Sequence, residues 1–337
     1  MNSPKRLCMQ STSRSITRRL IPGLLLGFLV LIGLALLGDL RQVSQTLLHY
    51  RWEFFLGALG FTLFNYTLRF LKWHFYLGQV GVRNVGWRQS LRLFVAGFPL
   101  AVTPGKVGEI LKAVWLKRAS GLPVARGASV VVAERISDGL AVMLLSTLGV
   151  YAYPQYWPVF IFILVILLLV VVLSQVRPVV TFFFDQGEKL PLLHRAIHSL
   201  RDFYEGSFVL LRPGPMIVAV LLGTVSWLGE GIGFYLILRG LGLEPGLQLA
   251  ATAVFVLAFS TAVGAASALP GGLGAAEVSI AGMLTFILRS EPALTSSATL
   301  LIRLATLWFG VLLGLMTWSI STNLLGLRAE PEFAAET

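Results

Sequence analysis

Long apolar blocks separated by short polar stretches run along this chain. An α-helix rising 1.5 Å per residue needs about 20 apolar residues to cross a hydrocarbon core of roughly 30 Å. Six blocks meet that need or come close: residues 20–37, 54–71, 128–150, 159–175, 215–238 and 296–320. Two further stretches break the rhythm. Residues 93–102 and 110–116 are short apolar runs separated by Thr103-Pro104-Gly105-Lys106-Val107-Gly108-Glu109. Residues 247–268 and 278–288 flank Leu269-Pro270-Gly271-Gly272-Leu273-Gly274-Ala275-Ala276-Glu277. Each reads as a re-entrant helical hairpin. Non-helical backbone at membrane depth is tolerated only beside protein or a water-filled space, so each break is expected to border a cavity. The expected fold is an all-α polytopic membrane protein, with about six full transmembrane helices plus two re-entrant hairpins.

The polar segments orient these spans. A basic tail over residues 1–19 precedes the first, and residues 39–53 form a short exposed segment. Lys72, Arg83, Arg88 and Arg92 mark a loop on the same side as the tail, and Tyr151, Tyr153, Tyr156 and Trp157 suit the opposite interface. Between the fourth and fifth spans, Leu193, Ile197, Leu200, Tyr204 and Leu211 recur at helical spacing among Arg195, Arg201 and Asp202, as in an amphipathic helix lying on the inner leaflet. Residues 20–327 form one integral domain and residues 328–337 a polar tail.

Composition agrees. The 337 residues are 56% hydrophobic and 13% charged, and the mean hydropathy is +0.79. That leaves too little polar surface for a soluble globule. The formal charge of +11 could suggest a nucleic-acid partner, but most of the 27 Lys and Arg fall in segments this topology places in the cytoplasm. Arg41, Arg51, Arg239 and Arg289 fall outside, and Arg69, Lys106, Arg135 and Arg303 within the membrane. That is the positive-inside asymmetry of an inner-membrane protein with both termini cytoplasmic, and it implies contact with membrane lipids rather than nucleic acid. The single cysteine, Cys8, permits no intrachain disulfide. The apolar run after Arg19 is long and lacks a good cleavage site, so the first span is expected to stay uncleaved.

Ionisable groups inside apolar blocks carry the chemistry. A charge at the bilayer centre costs about 2.5–3.5 kcal/mol on the mildest scale, so such residues pair or line a polar path. They are Arg69, Glu109, Glu134, Arg135, Asp138, Glu230, Glu277 and Arg303. Glu134 and Asp138 share a helix face and repel, which Arg135 can relieve. Arg303 has no acidic neighbour within a helical turn, and Glu277, Glu230 or a lipid phosphate are its candidate partners. A structural ion-pair network is the bland alternative for all of these, and close helix packing is the alternative for the glycines of the breaks. His194 and His198 lack a metal-binding context, and the chain has no Walker-type phosphate loop, so neither metal nor other cofactor is expected.

The two breaks are copies of each other. Pro104-Gly105-x-Val107-Gly108 leads into Glu109, Pro270-Gly271-x-Leu273-Gly274 leads to Glu277, and each glutamate precedes an arginine, Arg135 or Arg303, by 26 residues. Upstream, Phe75-Tyr76-Leu77 and Gly81 resemble Phe234-Tyr235-Leu236 and Gly242, and Arg69 falls opposite Glu230. Three full spans separate the hairpins, an odd number, so halves over residues 20–152 and 153–327 are expected to face opposite ways. Inverted repeats of this kind place substrate near the midplane on broken helices, whose N-termini suit a phosphate.

Arg69 with Trp73, the Pro104 to Glu109 motif, Glu134-Arg135-x-x-Asp138, the Pro270 to Glu277 motif and Arg303 together resemble the lysylphosphatidylglycerol synthase transmembrane family, over roughly residues 18–327. The resemblance implies a flippase-like domain that moves an anionic or glycosylated lipid between leaflets. Some members also carry a soluble aminoacyl-transferring domain, and with the chain ending at Thr337 lysyl-lipid synthesis is not expected. The expectation is a non-enzymatic lipid flippase. Its alternatives are a membrane-embedded transferase using Glu109, Glu134 or Asp138, and a scaffold for lipid-synthesis enzymes.

Overall fold

A computed structural model describes residues 5–103, 108–150, 157–188 and 194–325. Pro104, Gly105, Lys106, most of the aromatic cluster before Trp157, Leu193 and the final tail lie outside the described residues. Fifteen α-helices are described: α1 (Lys5–Leu37), α2 (Leu40–Leu48), α3 (Trp52–Gln79), α4 (Trp87–Ala96), α5 (Ile110–Ser120), α6 (Val124–Val150), α7 (Trp157–Gln175), α8 (Arg177–Glu188), α9 (His194–Leu210), α10 (Pro213–Gly240), α11 (Leu247–Ala266), α12 (Ala275–Leu288), α13 (Pro292–Arg303), α14 (Phe309–Ile320) and α15 (Thr322–Leu325). There is no β-strand among the described residues. A bilayer offers backbone groups no water, and a helix satisfies them internally, which is why apolar blocks of this length become helices.

Five helical stretches are long and apolar enough to cross a membrane, or six when α1, bent by 92° into α2, is counted. α6 is also long enough, at 27 residues, but carries Glu134, Arg135 and Asp138. The first break is flanked by helices of 10 and 11 residues, too short to span, with a 3₁₀ turn at Phe98–Val102 leading into it. The second differs in length. There α11 has 20 residues, and the stretch Pro270–Leu288 after it is also long enough to cross.

α3 and α10 pack along their lengths and form the centre of the bundle. Each has 28 residues. A Cβ on Gly229 would lie 2.8 Å from the Phe64 ring, and one on Gly233 would lie 3.3 Å from Phe61 Cβ, so the small residues of α10 let the two backbones approach. Phe61 meets Gly233, Phe64 meets Gly229 and Asn65 meets Ser226, so the helices run antiparallel. They end alike. Val82 N–H donates to the Leu77 carbonyl around Gly81 at φ 87°, and Leu243 N–H donates to Leu238 around Gly242 at φ 92°, the left-handed glycine cap that closes a helix C-terminus.

Two apolar cores flank this pair. One joins the last third of α3 with α4, α5 and the first half of α6; the other joins α10 to α13 with the second half of α6. Leu140 belongs to the first and Val142 to the second, so α6 is shared. α7 lies outermost, with Phe162, Val165 and Val172 exposed as lipid-facing residues would be.

α9 corrects an expectation. It is packed against α6 rather than simply laid on a membrane surface: Ile197, Tyr204 and Leu211 are buried, and a Cβ on Gly206 would strike Ser129 Oγ at 2.1 Å. Arg126 also faces Asp202 across the pair at 3.6 Å, and of the described residues of that stripe only Leu200 is exposed.

Candidate functional site

The first charged group gathers around α6. Asp138 is approached by three cations: Lys72 Nζ donates to its Oδ1, Arg69 Nη2 stands 3.6 Å from Oδ2, and Arg135 Nη2 stands 3.9 Å from Oδ2. Ser137 Oγ, 3.2 Å from Lys72 Nζ, and Trp227 Nε1, 3.4 Å from Asp138 Oδ1, complete the shell. Arg135 Nε faces Glu109 Oε2 at 3.6 Å. Separately, Lys112 Nζ donates to Glu134 Oε2 at 3.1 Å and lies 4.1 Å from the centre of the Trp73 ring, a position that adds cation–π attraction.

One of these residues was misread and one was not singled out. Lys72 was expected in a cytoplasmic loop, yet it is 0% exposed within α3, and Lys112, within the short run 110–116, is buried within α5. A buried lysine without a counter-charge is unstable, and each sits here because a carboxylate of α6 meets it. A signal existed: Glu134 and Asp138 on one helix face need more positive charge than Arg135 alone supplies. Arg69, Glu109, Glu134, Arg135 and Asp138 come together as the sequence suggested.

Arg135 differs from its neighbours. Its ion pairs are longer than a hydrogen bond, its side chain is 42% exposed, and it makes no hydrogen bond among the described residues. Among the described residues, its guanidinium donors are therefore open to a ligand.

The second group is tightly tied. Arg303 Nε donates to Glu277 Oε1 at 2.6 Å and its Nη2 to the Gly271 carbonyl at 2.8 Å, while the Gly274 N–H donates to Glu277 Oε2 at 2.7 Å. Glu277, 1% exposed, is thus the partner of Arg303 among the three candidates. It also corrects a detail: the α12 N-terminus, expected to hold a phosphate, already receives the Glu277 carboxylate. Pro270 opens the 3₁₀ turn Pro270–Gly272, and Gly271 and Gly272 adopt φ of 60° and 66°, where a side chain would be strained. In the first break, Gly108 N–H donates to Thr103 Oγ1 at 3.0 Å.

Both breaks meet at the centre. A Cβ on Gly271 would lie 3.3 Å from Val102 Cγ1, so the segment entering the first break touches the second. α1 crosses in front, with Gly23 against the Val102 carbonyl and Gly27 against Trp308. On α3 and α10, Asn65 Nδ2 donates to the Ser226 carbonyl at 3.1 Å and to Glu230 Oε2 at 3.0 Å, and Ser226 Oγ donates back to the Asn65 carbonyl at 3.2 Å. A π turn at Leu304–Trp308, directly after Arg303, leaves the Thr306 carbonyl open to the Tyr66 hydroxyl, which donates to it. Buried Glu230 therefore sits between the two groups, within electrostatic reach of Arg69, Asp138 and Arg303.

The profile of the lysylphosphatidylglycerol synthase transmembrane region matches residues 24–314, a stretch that includes every residue of both charged groups. This chain belongs to that family. It is also similar to a UPF0104 membrane protein of Methanothermobacter thermautotrophicus, 29% identical over 234 residues. That alignment takes in 61% of this chain and 66% of the relative, so the chain spans just under two thirds of the relative's length. No solved structure matches.

Proposed function

We propose that this protein is a lipid flippase of the cytoplasmic membrane, both termini cytoplasmic, that carries a charged headgroup between leaflets while the tails stay in the bilayer. The observation that carries the reading is Arg135: an arginine in the middle of an apolar helix, facing Glu109 at the edge of the first break, with no hydrogen bond among the described residues and its side chain exposed. A bidentate guanidinium suits a phosphate, and Arg69 adds a second charge beside it. In this reading Arg303, backed by Glu277, is the equivalent cation of the other half.

The halves are read as inverted copies. A shift of 161 residues carries Asn65 to Ser226, Tyr66 to Trp227 and Gly81 to Gly242, and a shift of 168 carries Glu109, Arg135 and Asp138 to Glu277, Arg303 and Thr306. Contacts follow the same mapping: Tyr66 donates to Thr306, and its counterpart Trp227 donates to Asp138. In that register the Phe-Tyr-Leu likeness upstream is two residues out of step, while Arg69 and Glu230 remain opposite. Rocking of such halves about the α3–α10 crossing would expose Arg135 to either leaflet in turn.

The test is reconstitution of the purified chain in liposomes with fluorescent anionic, glycosylated and zwitterionic lipids, following headgroup accessibility from outside over time. Faster exchange of an anionic or glycosylated lipid than in protein-free vesicles is expected. Exchange no faster than in empty vesicles, or appearance of a covalently altered lipid, would contradict the proposal; the second result would point to a transferase.

A further inference from the structure

Counted over the described residues, which leave out Lys106 of the first break, the charges at the centre balance before any substrate is bound. Among the described residues, Arg69, Lys72, Lys112, Arg135 and Arg303 face Glu109, Glu134, Asp138, Glu230 and Glu277. Every one of these carboxylates except Glu230 has a cation within 4 Å. Glu230 is 6% exposed, and its described hydrogen-bond partner is a neutral amide, that of Asn65. A headgroup phosphate arriving at Arg135 would add a negative charge to this group inside the bilayer, where an unbalanced charge is costly. Protonation of Glu230 offsets that charge, and among these carboxylates Glu230 alone has no cation within 4 Å to leave behind.

From this we infer that Glu230 is a proton-binding site coupled to the substrate: a monoanionic phosphodiester headgroup enters the site together with one proton, which Glu230 takes up and later releases. The inference rests on the flippase reading and names its coupling ion. Geometry favours a proton over a metal cation. The Asn65 amide nitrogen is fixed toward Glu230 because it also donates to the Ser226 carbonyl, which can only accept, so the site presents an N–H donor where sodium would need oxygen. The charged and titratable groups around Glu230 are Arg69 and Tyr66 from α3, Asp138 from α6 and Arg303 from α13, and α11 contributes none. The glutamates at the two breaks each face an arginine, Glu109 opposite Arg135 at 3.6 Å and Glu277 bonded to Arg303 at 2.6 Å.

The experiment is titration of the full-length chain in detergent with short-chain phosphatidylglycerol, by calorimetry in two buffers of different ionisation enthalpy, which counts protons taken up per lipid bound. The wild type is expected to take up about one proton per lipid, with affinity falling by up to about tenfold per pH unit on the alkaline side, the limit for one linked proton. Glu230→Gln is expected to bind with no proton uptake and no pH dependence. Asn65→Leu, which keeps the carboxyl, is expected to retain the uptake with a moved pH midpoint, and it carries the test if Glu230→Gln fails to fold. Binding without proton uptake in the wild type, equal uptake in Glu230→Gln, or an unmoved midpoint in Asn65→Leu would overturn the coupling and leave the flippase reading standing. If wild type bound no lipid at all, both would fall.

Discussion

Asn65 and Ser226 hydrogen-bond each other's backbone: Asn65 Nδ2 reaches the Ser226 carbonyl at 3.1 Å and Ser226 Oγ reaches the Asn65 carbonyl at 3.2 Å. In the inverted-repeat reading these two residues occupy matching places, and their crossing would be the pivot about which the halves move.

In the inverted-repeat reading the hydrogen bonds from Tyr66 to Thr306 and from Trp227 to Asp138 occupy matching places. Tyr66→Phe and Trp227→Phe should each lower stability by about 0.5–1.5 kcal/mol, the usual loss for one hydrogen bond. Thermal unfolding of the detergent-solubilised variants reads this.

The Lys112–Glu134 pair is buried on both sides, and neither residue forms an ion pair with Arg135 or Arg69 among the described residues. Glu134→Gln should destabilise by about 3–5 kcal/mol because Lys112 is left uncompensated, and Lys112→Met with Glu134→Gln should recover much of the loss. A double-mutant cycle on unfolding midpoints measures it, and the double variant should retain lipid exchange, since this pair orders the bundle rather than meeting the headgroup.

Gly272 has φ 66°, and a Cβ there would lie 3.0 Å from the Gly264 Cα. Gly272→Ala should therefore cost at least about 1–2 kcal/mol. Gly60→Ala in α3, where a Cβ meets nothing within 4 Å, should change stability by less than about 1 kcal/mol, toward greater stability. Comparing their melting temperatures separates a strained break from helix propensity.

Much of this was legible in the sequence. The apolar blocks became helices, the first break took its short flanking helices, and Glu277, one of three candidate partners, met Arg303. What escaped was nonlocal. The second span was ended at residue 71 because a lysine usually marks the membrane boundary, whereas α3 continues to Gln79 with Lys72 inside it. Its counter-charge, Asp138, lies 66 residues away on another helix, and no local rule connects them. The stripe of α9 was read as membrane-facing because amphipathic periodicity does not say whether lipid or protein covers the apolar face.

The most direct test of the account is the rate at which a fluorescent anionic phospholipid exchanges leaflets in vesicles carrying wild type, Arg135→Gln or Arg303→Gln, at matched amounts of inserted protein. If both halves serve one headgroup, each single variant should exchange no faster than empty vesicles and the double variant should be no worse than either. Wild-type rates in either single variant would contradict it.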